Sequence, residues 1–391
     1  MTLRVLQIVP SISLVYGGPS QMVRGFSAAL AAAGAEVTIA TTDSNGDVDE
    51  APLDVPLGEP IDEGGYRVIY FRCAPFRRYK FSTGLLQWLW QHAGDYDIAH
   101  IHALFSPISS AAATVCRWRS LPYLLRPLGT LDPADLQKKR RLKQLYAAVL
   151  ERPNLAGAAS IHFTSQQEAE VSHRFGVNTP GVVLPLGVTP LPDLPEQENV
   201  RDRYGIPPAR PILLFMSRLD PKKGLDLLLP ALEQLKAEDW GFHLLLCGAN
   251  PQDRAYEQAI RQRFADSTVG DRVTATGYVS GEDKIALIQA ADVFVLPSYY
   301  ENFGIAVAEA MLAGLPVVIS DQVYIWPEIQ AGDAGWVCSC NVDALADSLR
   351  AALKDPAERQ QRGQQARQVA QTHYSWAAIA QKTLRIYQTL T

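Results

Sequence analysis

The chain has 391 residues, a formal net charge of −5, and is 47% hydrophobic and 20% charged. That length exceeds one ordinary core and implies two or three domains. The composition is globular, and the acidic balance excludes a nucleic-acid partner held by overall charge.

In chain order, residues 5–9 read as a strand and not a signal peptide, because the apolar stretch is short and stops at Pro10. A turn carrying Gly17 and Gly18 follows, then a helical pattern over 21–33 closed by Gly34, then a strand at 37–40. Strand–helix–strand units of this kind imply a parallel sheet. Glycines after a first strand let the backbone approach a phosphate, although most such pairs are simple turns. Further strands are expected at 67–71, 98–102, 123–125, 160–163 and 181–184. His100 and His102 end one of them on a common side, which suits packing better than a zinc site. Residues 135–150 form a basic amphipathic pattern, suited equally to an anionic membrane surface and to a solvated face of its own domain. Proline and acid residues at 189–198 mark a linker. A second cycle of strands is expected at 211–216, 243–247, 273–276, 293–296 and 316–319, with helices at 225–238, 282–290 and 376–390. No run reaches the roughly eighteen apolar residues of a membrane-spanning helix. The cysteines, Cys73, Cys116, Cys247, Cys338 and Cys340, show no metal-type pairing and read as the reduced thiols of a cytoplasmic protein.

Two segments carry the chemistry. The first, Met216-Ser217-Arg218-Leu219-Asp220-Pro221-Lys222-Lys223-Gly224, is a basic turn between a strand and a helix. Fixed cations there can neutralise a developing phosphate charge without reorganising. In the second, Glu301 and Glu309 flank Asn302, Phe303, Gly304 and Ile305, followed by an alanine-rich helix and Ala313-Gly314-Leu315-Pro316-Val317-Val318. Glu301 then lies beyond the carboxyl end of a strand, where open α/β sheets bind ligands. Glu309 is expected about two turns into the helix. Two carboxylates suit vicinal hydroxyls, and a helix N-terminus suits phosphate.

The second segment resembles the donor-binding signature of the family 4 retaining glycosyltransferases, and the basic turn resembles that family's diphosphate-binding element. The resemblance extends over nearly the whole chain and is strongest after residue 210. It implies an α/β GT-B fold: two doubly wound, Rossmann-like domains whose parallel sheets face across a deep cleft. An N-terminal acceptor-side domain over 1–190 and a donor domain over 208–375 are expected. A linker at 191–207 would join them, with 376–391 crossing back. By resemblance Glu301 contacts the transferred sugar, Glu309 grips the ribose, and Arg218 and Lys223 hold the diphosphate. Gly17, Gly18, Gly248, Val279, Asn302, Phe303, Gly304 and Ile305 line the rest of the donor site.

The implied reaction is hexosyl transfer from a nucleotide-diphospho-sugar to a hydroxyl acceptor, with retention. The acceptor would be a saccharide, a glycolipid or a lipid-linked sugar, as in polysaccharide or glycoconjugate synthesis. No nucleophile is well placed, and the implied scheme needs no metal or cofactor. The chain departs from the pattern at Leu128, where relatives carry a histidine facing the sugar. His102, Arg126 and Asp132 are the remaining acceptor-side candidates. The expected location is cytoplasmic, with peripheral contact to the inner face of a membrane through 135–150. Alternatives are a non-catalytic nucleotide-sugar binder and a GT-B epimerase. A nicotinamide oxidoreductase lacks support, since Gly-x-Gly-x-x-Gly does not follow the first strand.

Overall fold

The computed structural model describes residues 2–16, 18–46, 50–131, 144–192 and 200–391. The chain divides into two compact units, Met1–Gly187 with Trp376–Thr391, and Val188–Ser375. Among the described residues no helix is long and apolar enough to cross a membrane.

The first unit is built on strands β1 (Arg4–Ile8), β2 (Glu36–Thr42), β3 (Pro60–Asp62), β4 (Arg67–Phe71), β5 (Ile98–His102), β6 (Tyr123–Arg126), β7 (Ser160–Phe163) and β8 (Gly181–Val183). Their order is β3-β4-β2-β1-β5-β6-β7-β8. All pairings are parallel except β3 with β4. Sequence periodicity misses β3 because it is a three-residue, largely exposed edge strand with no apolar run, paired with β4 across the local turn at 63–66.

The two faces of this sheet differ. Leu6, Ile8, Ala99, Ile101, Leu125, Ile161 and Phe163 belong to an apolar core. The other face carries Gln7, His100, His102, Arg126 and His162, all buried. Helix Gly18–Ala32 covers that face, with Phe26 edge-on to the His100 ring at 5.7 Å between centroids. Parallel sheets are covered on both sides and are normally apolar on both, so this polar row stands apart. The final helix, Trp376–Leu390, belongs to the same unit and brings Tyr387 onto His100. Trp376 lies over two glycines: a Cβ at Gly187 would come within 2.1 Å of its ring and one at Gly25 within 2.7 Å.

The second unit has strands β9 (Ile212–Met216), β10 (His243–Cys247), β11 (Val273–Gly277), β12 (Val293–Leu296), β13 (Val317–Ser320) and β14 (Gly335–Cys338). They are ordered β11-β10-β9-β12-β13-β14, all parallel. β9, β10, β12 and β13 are buried throughout, as helices on both faces demand. The order reverses between β9 and β12, which is the topological switch point of a doubly wound sheet. β14 escaped the sequence reading, since Gly335-Trp336-Val337-Cys338 is short and only half buried. Within the stretch read as a linker, Val200–Tyr204 forms a helix of the second unit, anchored by buried Val200. Residues 193–199 lie outside the described residues.

Candidate active site

The switch point of the second sheet gathers the two segments singled out by sequence. β9 ends at Met216, and Pro221–Lys223 make one turn of 3-10 helix capped by the Asp220 side chain, which accepts from Lys222 N–H. Gly224 follows at φ 70°, and a Cβ there would lie 1.9 Å from the Pro297 carbonyl oxygen. Only glycine lets the basic turn pack this closely against the end of β12. Gly248 plays the same part beyond β10: at φ 148°, its Cβ would meet the Ser217 carbonyl oxygen at 1.9 Å. The Gly248 N–H donates to the Gly277 carbonyl at 2.8 Å, and Arg261 donates to the Gly248 carbonyl at 2.8 Å.

Lys223 is buried, and its ammonium forms an ion pair and hydrogen bond with the Glu301 carboxylate. Glu301 is held from both sides along its backbone. Its N–H donates to the Gln322 carbonyl at 3.0 Å, and its carbonyl accepts from Tyr324 N–H at 2.9 Å. The carboxylate is therefore fixed by a β-bridge to Val323 and by a cation from another crossover. Asn302 Oδ1 accepts a hydrogen bond from the Tyr300 hydroxyl.

Gly304 caps helix Ile305–Ala313: its carbonyl accepts from Val307 and Ala308 N–H at 2.9 and 3.1 Å, and the Ile305 and Ala306 N–H groups precede the first intrahelical bond. Glu309 is the fifth residue of that helix, so it sits little more than one turn in and not two. The difference arises because the left-handed Gly304 delays the helix start. Glu309 is engaged by Lys284 of helix Gly281–Ala290, Nζ to Oε1 at 2.6 Å. Nothing in the sequence marks Lys284. It is one lysine on a helix, and only the packing of two helices assigns it to Glu309.

The remaining candidates fall in different settings. Arg218 is exposed and donates to Gln252 Oε1 at 3.1 Å. The Phe303 side chain is 2% exposed and packs edge-on against Tyr374, centroids 5.1 Å apart, so it supports the loop from beneath. Val279 and Ile305 are half-buried. In the first unit Gly18 opens its helix, while Gly17, Asp132 and 135–143 lie outside the described residues. Leu128, at φ 57°, is followed by Gly129 at φ 76° beyond β6.

His100 and His102 do point together, with rings stacked 4.7 Å apart, but both are buried and neither reaches the surface. Their hydrogen bonds are directional. His162 Nε2 lies 2.7 Å from the Leu184 carbonyl, which can only accept, so this nitrogen carries the proton. His162 Nδ1 must then accept from His100 Nε2–H at 3.0 Å, and His100 Nδ1 accepts from the Tyr387 hydroxyl at 2.6 Å. Burial, reinforced by the Arg126 charge, pushes the His100 pKa down to about 3. Burial likewise holds His102 and His162 well below the usual range. Among the described residues no group of three or more His, Cys, Asp or Glu is placed to hold a metal ion.

Comparison with known proteins follows this division. The sequence model described as glycosyl transferases group 1 matches residues 196–369, and that of the glycosyl transferase 4-like domain matches 17–187. A D-inositol 3-phosphate glycosyltransferase of Corynebacterium efficiens is 26% identical over 392 residues, covering 96% of this chain and 91% of that relative. A glycogen synthase of Mycobacterium tuberculosis is 33% identical over 177 residues, 45% of this chain. The chain thus spans less than half of that synthase, 42% of its length. Among solved structures, Anabaena HepE in complex with UDP and glucose superposes with a TM-score of 0.72 at 18% identity, covering 99% of this chain and 100% of HepE.

Proposed function

The chain belongs to the group 1 glycosyl transferases and has the GT-B fold, and from that premise we propose that it moves a hexosyl group from a nucleotide-diphospho-sugar to a hydroxyl acceptor with retention of configuration. The observation that carries this reading is the Lys223–Glu301 pair at the switch point of the second sheet. A buried cation beside a fixed carboxylate suits a ligand with a charged diphosphate next to a hydroxyl-rich sugar.

In this reading Lys223 neutralises the departing diphosphate, and Arg218 swings from Gln252 to join it. Glu301 accepts hydrogen bonds from the sugar, and Glu309, oriented by Lys284, accepts from the ribose diol. The helix N-terminus at Ile305 faces phosphate charge. The leaving phosphate takes the acceptor proton, so the protein contributes position and electrostatics and needs no metal. HepE, solved with UDP and glucose, favours a uridine nucleotide as the first donor to try. A saccharide or lipid-linked acceptor, a role in polysaccharide or glycoconjugate synthesis, and a cytoplasmic location are part of the same proposal. So is peripheral membrane contact through 135–150, where Leu145 and Val149 are 66% and 64% exposed.

The test is thermal denaturation with a panel of nucleoside diphosphates and their sugars. A selective rise of the midpoint with one base, lost in Glu309→Ala, is the expected result, since a ligand bound only to the native state stabilises it. No rise with any of them would sink the donor assignment. With the base known, an anomeric-configuration assay by NMR decides retention.

Lys284→Ala supplies a finer check. The Lys284–Glu309 pair is partly solvated, so its loss is expected to cost about 1 kcal/mol of donor binding, roughly a fivefold rise in donor KM, with kcat nearly unchanged. An unchanged KM would show that Lys284 does not orient Glu309. A second reading, donor binding without turnover, is favoured by Leu128 in place of the family histidine. Nucleotide stabilisation with no transfer to any of a broad acceptor set would select it.

A further inference from the structure

Two turns at the carboxyl edge of the first sheet hold large apolar side chains out in solvent. The turn after β1, Leu14–Tyr16, leaves Leu14 65% and Val15 63% exposed. The turn after β4, Arg77–Tyr79 with Phe76 before it, leaves Phe76 61% and Tyr79 56% exposed. Each is a single turn of 3-10 helix between a strand and the helix that follows it.

The turns are anchored, and anchored to each other. Lys80 Nζ lies 3.4 Å from the centre of the Tyr16 ring, which joins the two. The Tyr16 hydroxyl lies 3.0 Å from Ser44 Oγ and donates to the Gly46 carbonyl at 2.7 Å, so the first turn is tied to the loop after β2. Asp43 of that loop accepts from Cys73 N–H at 2.7 Å and pairs with Arg72 at 2.9 Å. Arg77 donates to the Glu50 carbonyl at 2.6 Å. Four large apolar side chains fixed in water gain no burial on folding, and clustered exposure of this kind marks a contact surface.

The charge interleaved with them has one sign. Between Glu63 and Asp95 the chain carries Arg67, Arg72, Arg77, Arg78 and Lys80 and no carboxylate, although its net charge is −5. Asp43 offsets Arg72, and Arg78 is exposed beside Tyr79. The exposed acids Glu50 and Asp54 belong to the loop after β2 and to neither turn. A protein partner needs a continuous patch of roughly 800 Å² with an apolar centre and a polar rim. Here cations and rings alternate within one turn, Phe76-Arg77-Arg78-Tyr79-Lys80. Apolar tips set among cations suit a surface of anionic lipid headgroups over hydrocarbon.

We propose that the Leu14–Val15 and Phe76–Tyr79 turns dip into an anionic lipid surface and hold the carboxyl edge of the first sheet against it. This rests on the transfer reading and narrows it. The acceptor is membrane-borne, a lipid-linked saccharide or a glycolipid, and not a free oligosaccharide. Parallel sheets bind ligands at their carboxyl edge, so a headgroup anchored in the bilayer reaches the first unit where an acceptor belongs.

The experiment is co-sedimentation of the full chain with phosphatidylcholine vesicles, with and without phosphatidylglycerol. The wild type should sediment with the anionic vesicles and far less with the neutral ones. Phe76→Ser, and Leu14→Ser combined with Val15→Ser, should each lower the partition coefficient about tenfold, as large apolar groups leave the interface. Arg78→Gln should lower it about fivefold, on anionic vesicles alone, as one cation near the surface is lost. Two exposed apolar positions elsewhere serve as comparisons: Leu145, and Trp118 at the end of helix Pro107–Trp118, on the amino edge of the sheet. Leu145→Ser and Trp118→Ser should partition as the wild type does. A wild type that ignores both vesicles overturns the proposal, as do turn variants that bind undiminished. A loss confined to Leu145→Ser overturns it too and moves the contact to 135–150. A dimer in light scattering that the turn variants abolish, without vesicle binding, gives the patch to a second copy and also overturns it. If Phe76→Ser lowers the unfolding midpoint, Arg78→Gln decides. A nucleotide-induced rise of the midpoint without vesicle binding rejects this surface alone. Vesicle binding without any nucleotide response keeps the lipid contact and rejects the transfer reading, and with it the acceptor class.

Discussion

Lys223→Met is expected to lower kcat/KM for glycosyl transfer about 10²- to 10³-fold, the effect of removing one preorganised charge from a developing oxyanion. Lys223 is buried against Glu301, so its ammonium is positioned before any ligand arrives and pays no ordering entropy at the reaction. Methionine keeps the stem and deletes the charge, leaving Glu301 without its cation. The neighbouring residue provides the control. Lys222 is exposed and lies over the Tyr300 ring at 5.6 Å, outside the Lys223–Glu301 pair. Its replacement by methionine should change kcat/KM less than about threefold, as exposed charges contribute little. Equal losses in both variants would mean that the diphosphate is held by diffuse charge and not by the Lys223–Glu301 geometry.

The second large effect is on stability against pH. His100, His102 and His162 are buried neutral, with folded pKa values depressed below 6.5 by burial first and neighbouring charge second. A depressed pKa means that the unfolded chain takes up protons that the folded chain refuses. Stability from these groups is complete above about pH 6.5 and is lost as pH falls below it, for His100 toward about 3. Each imidazole steepens the dependence by about 1.4 kcal/mol per pH unit, so the three together reach ~4 kcal/mol per unit in the steepest range. The hydrogen-bond chain explains the refusal. A proton added to His100 Nδ1 would face the Tyr387 hydroxyl, and one added to His162 Nδ1 would face His100 Nε2–H. Urea unfolding of the first unit's signals between pH 7.5 and 5 should show this slope. Imidazole nitrogen chemical shifts should remain those of neutral tautomers at pH 5. Protonated shifts in the folded protein at that pH would refute the assignment.

Much of the fold was legible because local pattern carries it. The all-buried strands 243–247 and 293–296 and the final helix stood in the sequence at the positions they occupy in three dimensions. A parallel strand buried on both faces has to be an apolar run bounded by turn formers. The edge strand β3 and half-buried β14 carry no such run, and only their neighbours make them strands. Phe303 shows a different limit. Its place between the site residues Asn302 and Gly304 suggests a ligand contact, yet its ring packs edge-on against Tyr374 at the end of a helix some 70 positions along the chain.

The sequence by itself determined the two-cycle α/β organisation and the pairing of a basic turn with a glutamate loop, since these depend on periodicity, turn chemistry and strand ends. Only the tertiary structure decided which charges meet. It joined Lys223 to Glu301 and Lys284 to Glu309, shut His100 and His102 under two helices, and buried Arg126 against the Met22 sulfur. The reason is physical. A residue's local pattern reports the face it shows, whereas its partner depends on which distant element packs against that face.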